Sequence, residues 1–131
     1  MDQKKYKNPS PRIKIIQKIY SVLMNPNSKI EYPKNQYKKF IKDIVNGTLE
    51  RNEVINNEIN LHLKDDIDVR RIDKVFEVIL KSAIFELLYK PTTSTNIIIK
   101  EYLNASNFFI DLSQTKFLNA VLDKISKKIR A

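Results

Sequence analysis

A single glycine in 131 residues, combined with apolar residues that recur about every 3.6 positions from end to end, most strongly limits how this chain can fold. No stretch alternates apolar and polar residues between turn residues, as a half-buried strand does. The pattern predicts an all-α protein, a compact helical bundle of about six to seven helices in two small subdomains. At this length we expect one domain over residues 1–131.

Local signals predict where the first three helices begin and end. Ser10-Pro11 supplies an N-cap acceptor followed by a proline, so helix one should run from residue 11 to about 23. The pair Asn46-Gly47 is typical of a helix C-terminus that ends with a residue in the left-handed backbone conformation. The second helix should therefore stop there, and the third should begin with Thr48 as its cap.

The second half of the chain should hold the central helix and two more. Asp68 is predicted to cap the most apolar helix, whose spacing over residues 69–88 gives a wide apolar surface. A fifth helix is expected over residues 97–105. Ser113 is predicted to cap a sixth that reaches about residue 129. The polar stretch at residues 64–68 should separate the two subdomains.

The composition bounds the classes of function that remain. An excess of 24 Lys and Arg over 15 Asp and Glu gives a net charge of +9, so a polyanion is the natural partner. The absence of cysteine excludes disulfides, Cys-bound zinc and a thiol nucleophile, and it suits the cytoplasm. Charges interrupt the first apolar stretch, so no signal peptide or membrane span is expected. His62 has no partners at ligand spacing and no glycine-rich phosphate loop is present, so neither a metal nor a cofactor is expected.

Three blocks of sequence, in their order and spacing, resemble the NusB transcription antitermination family over nearly the whole chain. The first is the basic opening helix at residues 12–20, RIKIIQKIY. The second is VFEVILKSAIFEL at 75–87, and the third is KFLNAVLDKI at 116–125. The resemblance implies an all-α factor that binds the boxA element of a nascent ribosomal RNA leader. It would do so with NusE, a small-subunit ribosomal protein, and help RNA polymerase past terminators, which is binding and not catalysis.

The resemblance also implies that the basic head at residues 1–9, expected to be flexible, contacts RNA. The family's arginine-rich amino end corresponds here to Lys4, Lys5, Lys7 and Arg12, so lysine largely replaces arginine. Lysine serves phosphate as a hydrated point charge, whereas arginine offers a flat fork that can also stack on bases. We therefore expect weaker, or more partner-dependent, selectivity for boxA.

Further RNA contacts implied by the resemblance lie on the helices. Phe117 matches the family's exposed phenylalanine and could stack on an unpaired base while Lys116 neutralises a phosphate. Ser113 stands at the matching helix start, where free N–H groups attract anions. Tyr20 and Lys81 align with positions near the RNA path. The cations of the head and of the closing helix should converge into one track for single-stranded RNA.

Other interpretations remain open at this point. Phe117 has helical spacing from core positions, and Tyr20 shares a face with apolar residues, so either ring could be part of the core. Glu77 and Glu86 on the central helix are possible contacts for a basic ribosomal protein. The alternative function is a homodimeric protein-interaction module without direct, sequence-specific RNA binding.

Overall fold

The structure of the protein, a computed structural model, describes residues 10–130 and contains six α-helices in that range. The all-α class is confirmed, and no strand occurs among these residues. The division into two subdomains stays a prediction. In chain order the helices are α1 Pro11–Met24, α2 Lys38–Glu50, α3 Asn52–Leu63, α4 Lys74–Tyr89, α5 Thr95–Ser106 and α6 Leu112–Ile129.

Helix α4 is the centre of the fold and contacts each of the other five helices. Every residue from Phe76 to Leu87 is buried, because α4 is covered on all sides. The wide apolar surface predicted for the central helix is thus confirmed. Burial on all sides also encloses polar side chains, among them Glu77, Lys81 and Glu86, which must find partners inside the protein.

Helix α1 begins as the sequence predicts. The Ser10 hydroxyl accepts a hydrogen bond from the Arg12 backbone N–H at 3.2 Å, and Pro11 is the first helical residue, where no N–H is required. Its buried side is made of isoleucines and Arg12. Tyr20 is 39% exposed, so the interpretation of Tyr20 as a core residue is wrong. The buried isoleucines of α1 are Ile13, Ile15, Ile16 and Ile19.

The predicted boundary between the second and third helices is wrong. Gly47 lies inside α2 without a positive φ, and α2 continues to Glu50. Thr48 is a buried residue of α2, and Arg51 precedes α3 instead. The physical reason for a glycine here is tertiary packing, because a Cβ at position 47 would overlap with the ring of Phe85 on α4.

Two predicted helix caps are also wrong, each by a few residues. Asp68 does not cap α4; it precedes a turn in which its carboxylate accepts the Arg70 backbone N–H at 3.0 Å, and Asp73 is the residue before α4. Ser113 is the second residue of α6, and Asp111 is its N-cap. In both places an aspartate directly precedes the first helical residue, Asp73 before Lys74 and Asp111 before Leu112.

None of the helices between residues 10 and 130 has the length and apolar character needed to cross a membrane.

Candidate nucleic-acid interface

The ring of Phe117, the one aromatic residue of α6, is partly exposed. It is 41% exposed and stacks on the buried Phe76 of α4, with ring centroids 5.6 Å apart and an angle of 24° between the planes. Phe76 therefore fixes the orientation of the Phe117 ring while part of that ring stays in solvent. A supported, partly exposed ring of this kind can stack on an unpaired base.

The amino-terminal ends of two helices meet beside this ring. Asp111 accepts the Gln114 backbone N–H at 2.8 Å, and the Gln114 side chain accepts the Asp111 N–H at 3.3 Å, which forms a capping box. Gln114 also donates its amide to the Asp73 carboxylate at 2.8 Å. Because Asp73 precedes α4, the positive ends of the α4 and α6 dipoles lie together. The two aspartates partly offset that positive field.

A shallow depression of about 310 Å³ joins these features on the surface. Its walls combine an exposed ring, a hydroxyl, a guanidinium and the Asp73 carboxylate, which already accepts a hydrogen bond from Gln114. The ring and the guanidinium suit a flat polar group carrying negative charge. The lining residues are Arg71, Ile72, Asp73, Phe76, Ser113, Gln114 and Phe117. Lys116, next to Phe117, is exposed and makes no ion pair with any residue between 10 and 130.

Arg71 lines this depression and Arg70 precedes it in the chain, and the sequence pattern singled out neither residue. Their side chains are 90% and 86% exposed, and their Nε atoms lie 3.2 and 3.5 Å from the Asp68 carboxylate. The hydrogen bonds from Arg70 are the main reason that the pKa of Asp68 is lowered. The signal that could have found them is that residues 70–71 are the only adjacent arginines in the chain.

Arg12 and Glu86, both singled out from the sequence, pair with each other in the core. The guanidinium donates to the carboxylate twice, from Nε at 3.1 Å and from Nη2 at 2.7 Å. The Glu86 side chain is fully buried and that of Arg12 is 11% exposed. Neither charged group is therefore available for contacts at the protein surface.

Lys81 and Glu77 are likewise buried and paired. Lys81 Nζ lies 2.9 Å from Glu77 Oε2 and donates to Asn52 Oδ1 at 2.9 Å. Lys74 approaches the same carboxylate at 3.5 Å. The ammonium group of Lys81 is therefore engaged inside the protein, and Glu77 is neutralised by two lysines.

Of the remaining candidates, only those within residues 10–130 can be located relative to Phe117. Lys4, Lys5 and Lys7 fall outside the described residues. Arg12, at the start of α1, contacts Glu86 of α4, and Phe117 contacts Phe76 of the same helix. Glu86 and Phe76 are ten positions apart in α4. Ten residues correspond to about 15 Å of helix axis. A single RNA track from the start of α1 to Phe117 would have to cover at least this length of α4.

His62, the only histidine of the sequence, lies beside a carboxylate one helical turn away. His62 pairs with Glu58, with Nε2 and Oε2 3.2 Å apart. Within residues 10–130 no group of three His, Asp or Glu side chains could hold a metal ion.

Comparison of the sequence with known proteins identifies one family. The sequence profile of the NusB family matches residues 8–127. The chain is 30% identical over 122 residues to proteins named transcription antitermination protein NusB from Rickettsia massiliae and Rickettsia conorii. Each alignment covers 87% of this chain and 76% of the relative.

A solved structure supports the fold independently. The chain is similar to T. maritima NusB with a TM-score of 0.77, over 92% of each chain. Sequence identity in that comparison is 20%, so the comparison shows a shared fold and nothing beyond it.

Proposed function

The chain belongs to the NusB family of transcription antitermination factors, and on that premise we propose that it binds boxA-type single-stranded RNA of ribosomal RNA leaders together with NusE. Through this complex it would act on RNA polymerase. The observation that carries the proposal is the partly exposed Phe117 ring, held on Phe76 beside the joined starts of α4 and α6. The activity is binding, and no step of it requires catalysis.

Base stacking is the first part of the proposed RNA contact. Stacking of one base on an aromatic side chain contributes about 1–3 kcal/mol, which corresponds to about 5- to 150-fold in affinity. Phe117 has the required plane, and its position does not depend on the ligand because Phe76 supports one part of the ring.

Phosphate neutralisation is the second part. Four lysines supply the positive charge, namely Lys116 on α6 and Lys4, Lys5 and Lys7 in the head. The net charge of the whole chain is +9. If about three to five phosphates are neutralised on a single strand, the logarithmic salt slope is about −2 to −3.5. Lysine contributes attraction without the forked geometry of arginine, so selectivity should depend on NusE.

The proposed NusE contact does not use Glu77 or Glu86. Both carboxylates are buried and already paired, Glu77 with Lys74 and Lys81 and Glu86 with Arg12. A basic partner would gain little from a carboxylate whose charge is already neutralised.

The test is a titration of boxA RNA and of a scrambled RNA of equal composition, with and without NusE, at two salt concentrations. We expect boxA to bind more tightly than the scrambled RNA when NusE is present, with the slope given above. Equal binding of the two RNAs in the presence of NusE would refute the sequence-specific proposal. Light scattering on the same samples distinguishes the alternative, since a homodimer unchanged by RNA would favour a protein-interaction module.

Substitutions at Phe117 examine the stacking role directly. Phe117→Leu keeps an apolar contact with Phe76 but removes the plane, so affinity should fall about 5-fold or more. Phe117→Tyr keeps the plane and should bind like the wild type. Equal affinity of all three proteins would remove the ring from the interface.

A further inference from the structure

The turn before α4 carries two exposed arginines, and one of them, Arg71, lines the depression that holds Phe117. Asp68 orders this turn: its side chain accepts the Arg70 N–H at 3.0 Å, and its carbonyl accepts the Arg71 N–H at 2.9 Å. Arg71 lines the depression together with Phe117 and Ser113. The backbone that carries Arg71 is therefore fixed next to the exposed ring.

The charge of these arginines is incompletely balanced. One carboxylate, Asp68, faces both guanidinium groups, at 3.2 Å for Arg70 and 3.5 Å for Arg71. Exposed ion pairs of this kind contribute about 0–1 kcal/mol, so a phosphate can compete for the guanidinium at little cost. Arginine also binds phosphate through two parallel N–H groups, which lysine cannot do.

We propose that Arg71, with Arg70 beside it, binds the RNA phosphate adjacent to the base stacked on Phe117, and so orients that base. The inference rests on the proposed RNA-binding function and adds a contact on the turn between α3 and α4. In the amino-terminal head lysine replaces arginine, so that segment lacks a two-point phosphate contact. Arg71 supplies such a contact from the turn before α4. Orientation of the RNA would then depend more on this turn than on the head.

The experiment compares Arg71→Ala and Arg71→Lys with a control that removes equal charge elsewhere. Lys38→Ala is a suitable control. Lys38 is exposed at the start of α2, two residues before Phe40. The ring of Phe40 lies under Arg12, at the opposite end of α4 from Phe76. Full-length proteins are titrated with boxA RNA at several salt concentrations in the presence of NusE. The melting temperature of each variant confirms that the fold is retained.

We expect Arg71→Ala to weaken binding about 5- to 10-fold and to make the salt slope shallower by about 0.7. Arg71→Lys should keep the slope but recover only part of the affinity, because the charge remains and the fork is lost. Lys38→Ala should change affinity less than about 2-fold. The double variant Arg70→Ala/Arg71→Ala should be weaker than Arg71→Ala alone.

Failure of this inference is distinguishable from failure of the proposed function. If the wild type does not prefer boxA and Phe117→Leu has no effect, the proposed function itself fails. If the wild type prefers boxA and depends on Phe117, but Arg71→Ala binds like Lys38→Ala, only the role of Arg71 is refuted. Full affinity in Arg71→Lys would refute the forked contact.

Discussion

Arg12 at the start of α1 and Glu86 near the end of α4 form a two-point ion pair, 74 residues apart in sequence and enclosed in the core. The Nη2 to Oε1 distance is 2.7 Å. The guanidinium also lies over the ring of Phe40 at 4.8 Å and over that of Tyr102 at 5.8 Å. Four helices therefore meet at one charged group, which makes Arg12 a structural residue.

Breaking this pair should destabilise the protein strongly. Arg12→Ala leaves the fully buried Glu86 carboxylate without its partner, and removal of one member of a buried pair typically costs about 3–5 kcal/mol in the free energy of unfolding. Urea denaturation measures the change. Lys127→Ala is the control, because its exposed pair with Asp123 at 3.0 Å should contribute only about 0–1 kcal/mol. Equal effects of the two substitutions would contradict the structural role of Arg12.

Tyr102 should make stability fall at alkaline pH. Burial, reinforced by the neighbouring Glu86 carboxylate, raises the pKa of the Tyr102 phenol well above 10.0, the value expected when the chain is unfolded. The unfolded state therefore loses this proton first. The stabilising contribution of the neutral phenol is complete below about pH 10 and declines as the pH rises above it.

Tyr102→Phe keeps the buried ring and removes the ionisable group. Stability measured by urea denaturation at pH 8 and pH 11 should fall less in this variant than in the wild type. Tyr32→Phe should reduce the loss to a smaller extent, since partial burial alone raises the pKa of Tyr32. Identical losses in the wild type and in Tyr102→Phe would contradict the prediction.

Local sequence signals predicted some boundaries and missed others for identifiable reasons. Ser10 caps α1 as expected, because a hydroxyl followed by proline acts within one turn. Gly47 was misassigned because its role depends on Phe85, 38 positions later in the chain. Phe117 was found through a family resemblance, whereas the place of Arg71 depends on the path of the turn before α4, which no local pattern specifies.

Replacement of Gly47 should destabilise the protein even though alanine favours helices. The gain in helix propensity is about 1 kcal/mol at most. An added Cβ would overlap with the ring of Phe85, which is 7% exposed and packs on Tyr89 with ring centroids 4.9 Å apart. Overpacking of this kind costs about 1–3 kcal/mol, so we expect a net loss of stability for Gly47→Ala.

A double-mutant cycle identifies the cause of that loss. Phe85→Leu alone should be destabilising, but in the Gly47→Ala background it should cost less, because the smaller side chain leaves room for the new methyl group. Urea midpoints of the four proteins give the coupling. Additive effects would show that the alanine does not meet Phe85.

The start of α6 offers two candidate caps, and the structure assigns the role to Asp111. Its carboxylate accepts the Gln114 N–H at 2.8 Å, whereas Ser113 is exposed at the second helical position. Asp111→Ala should therefore lower the free energy of unfolding by about 0.5–2 kcal/mol, while Ser113→Ala should change it by less than about 0.5 kcal/mol. Urea midpoints at constant denaturant slope report both values. Asp111→Asn, which keeps an acceptor, should recover most of the loss. A larger effect at Ser113 than at Asp111 would contradict this assignment and would make Ser113 the N-cap, as the sequence pattern predicts.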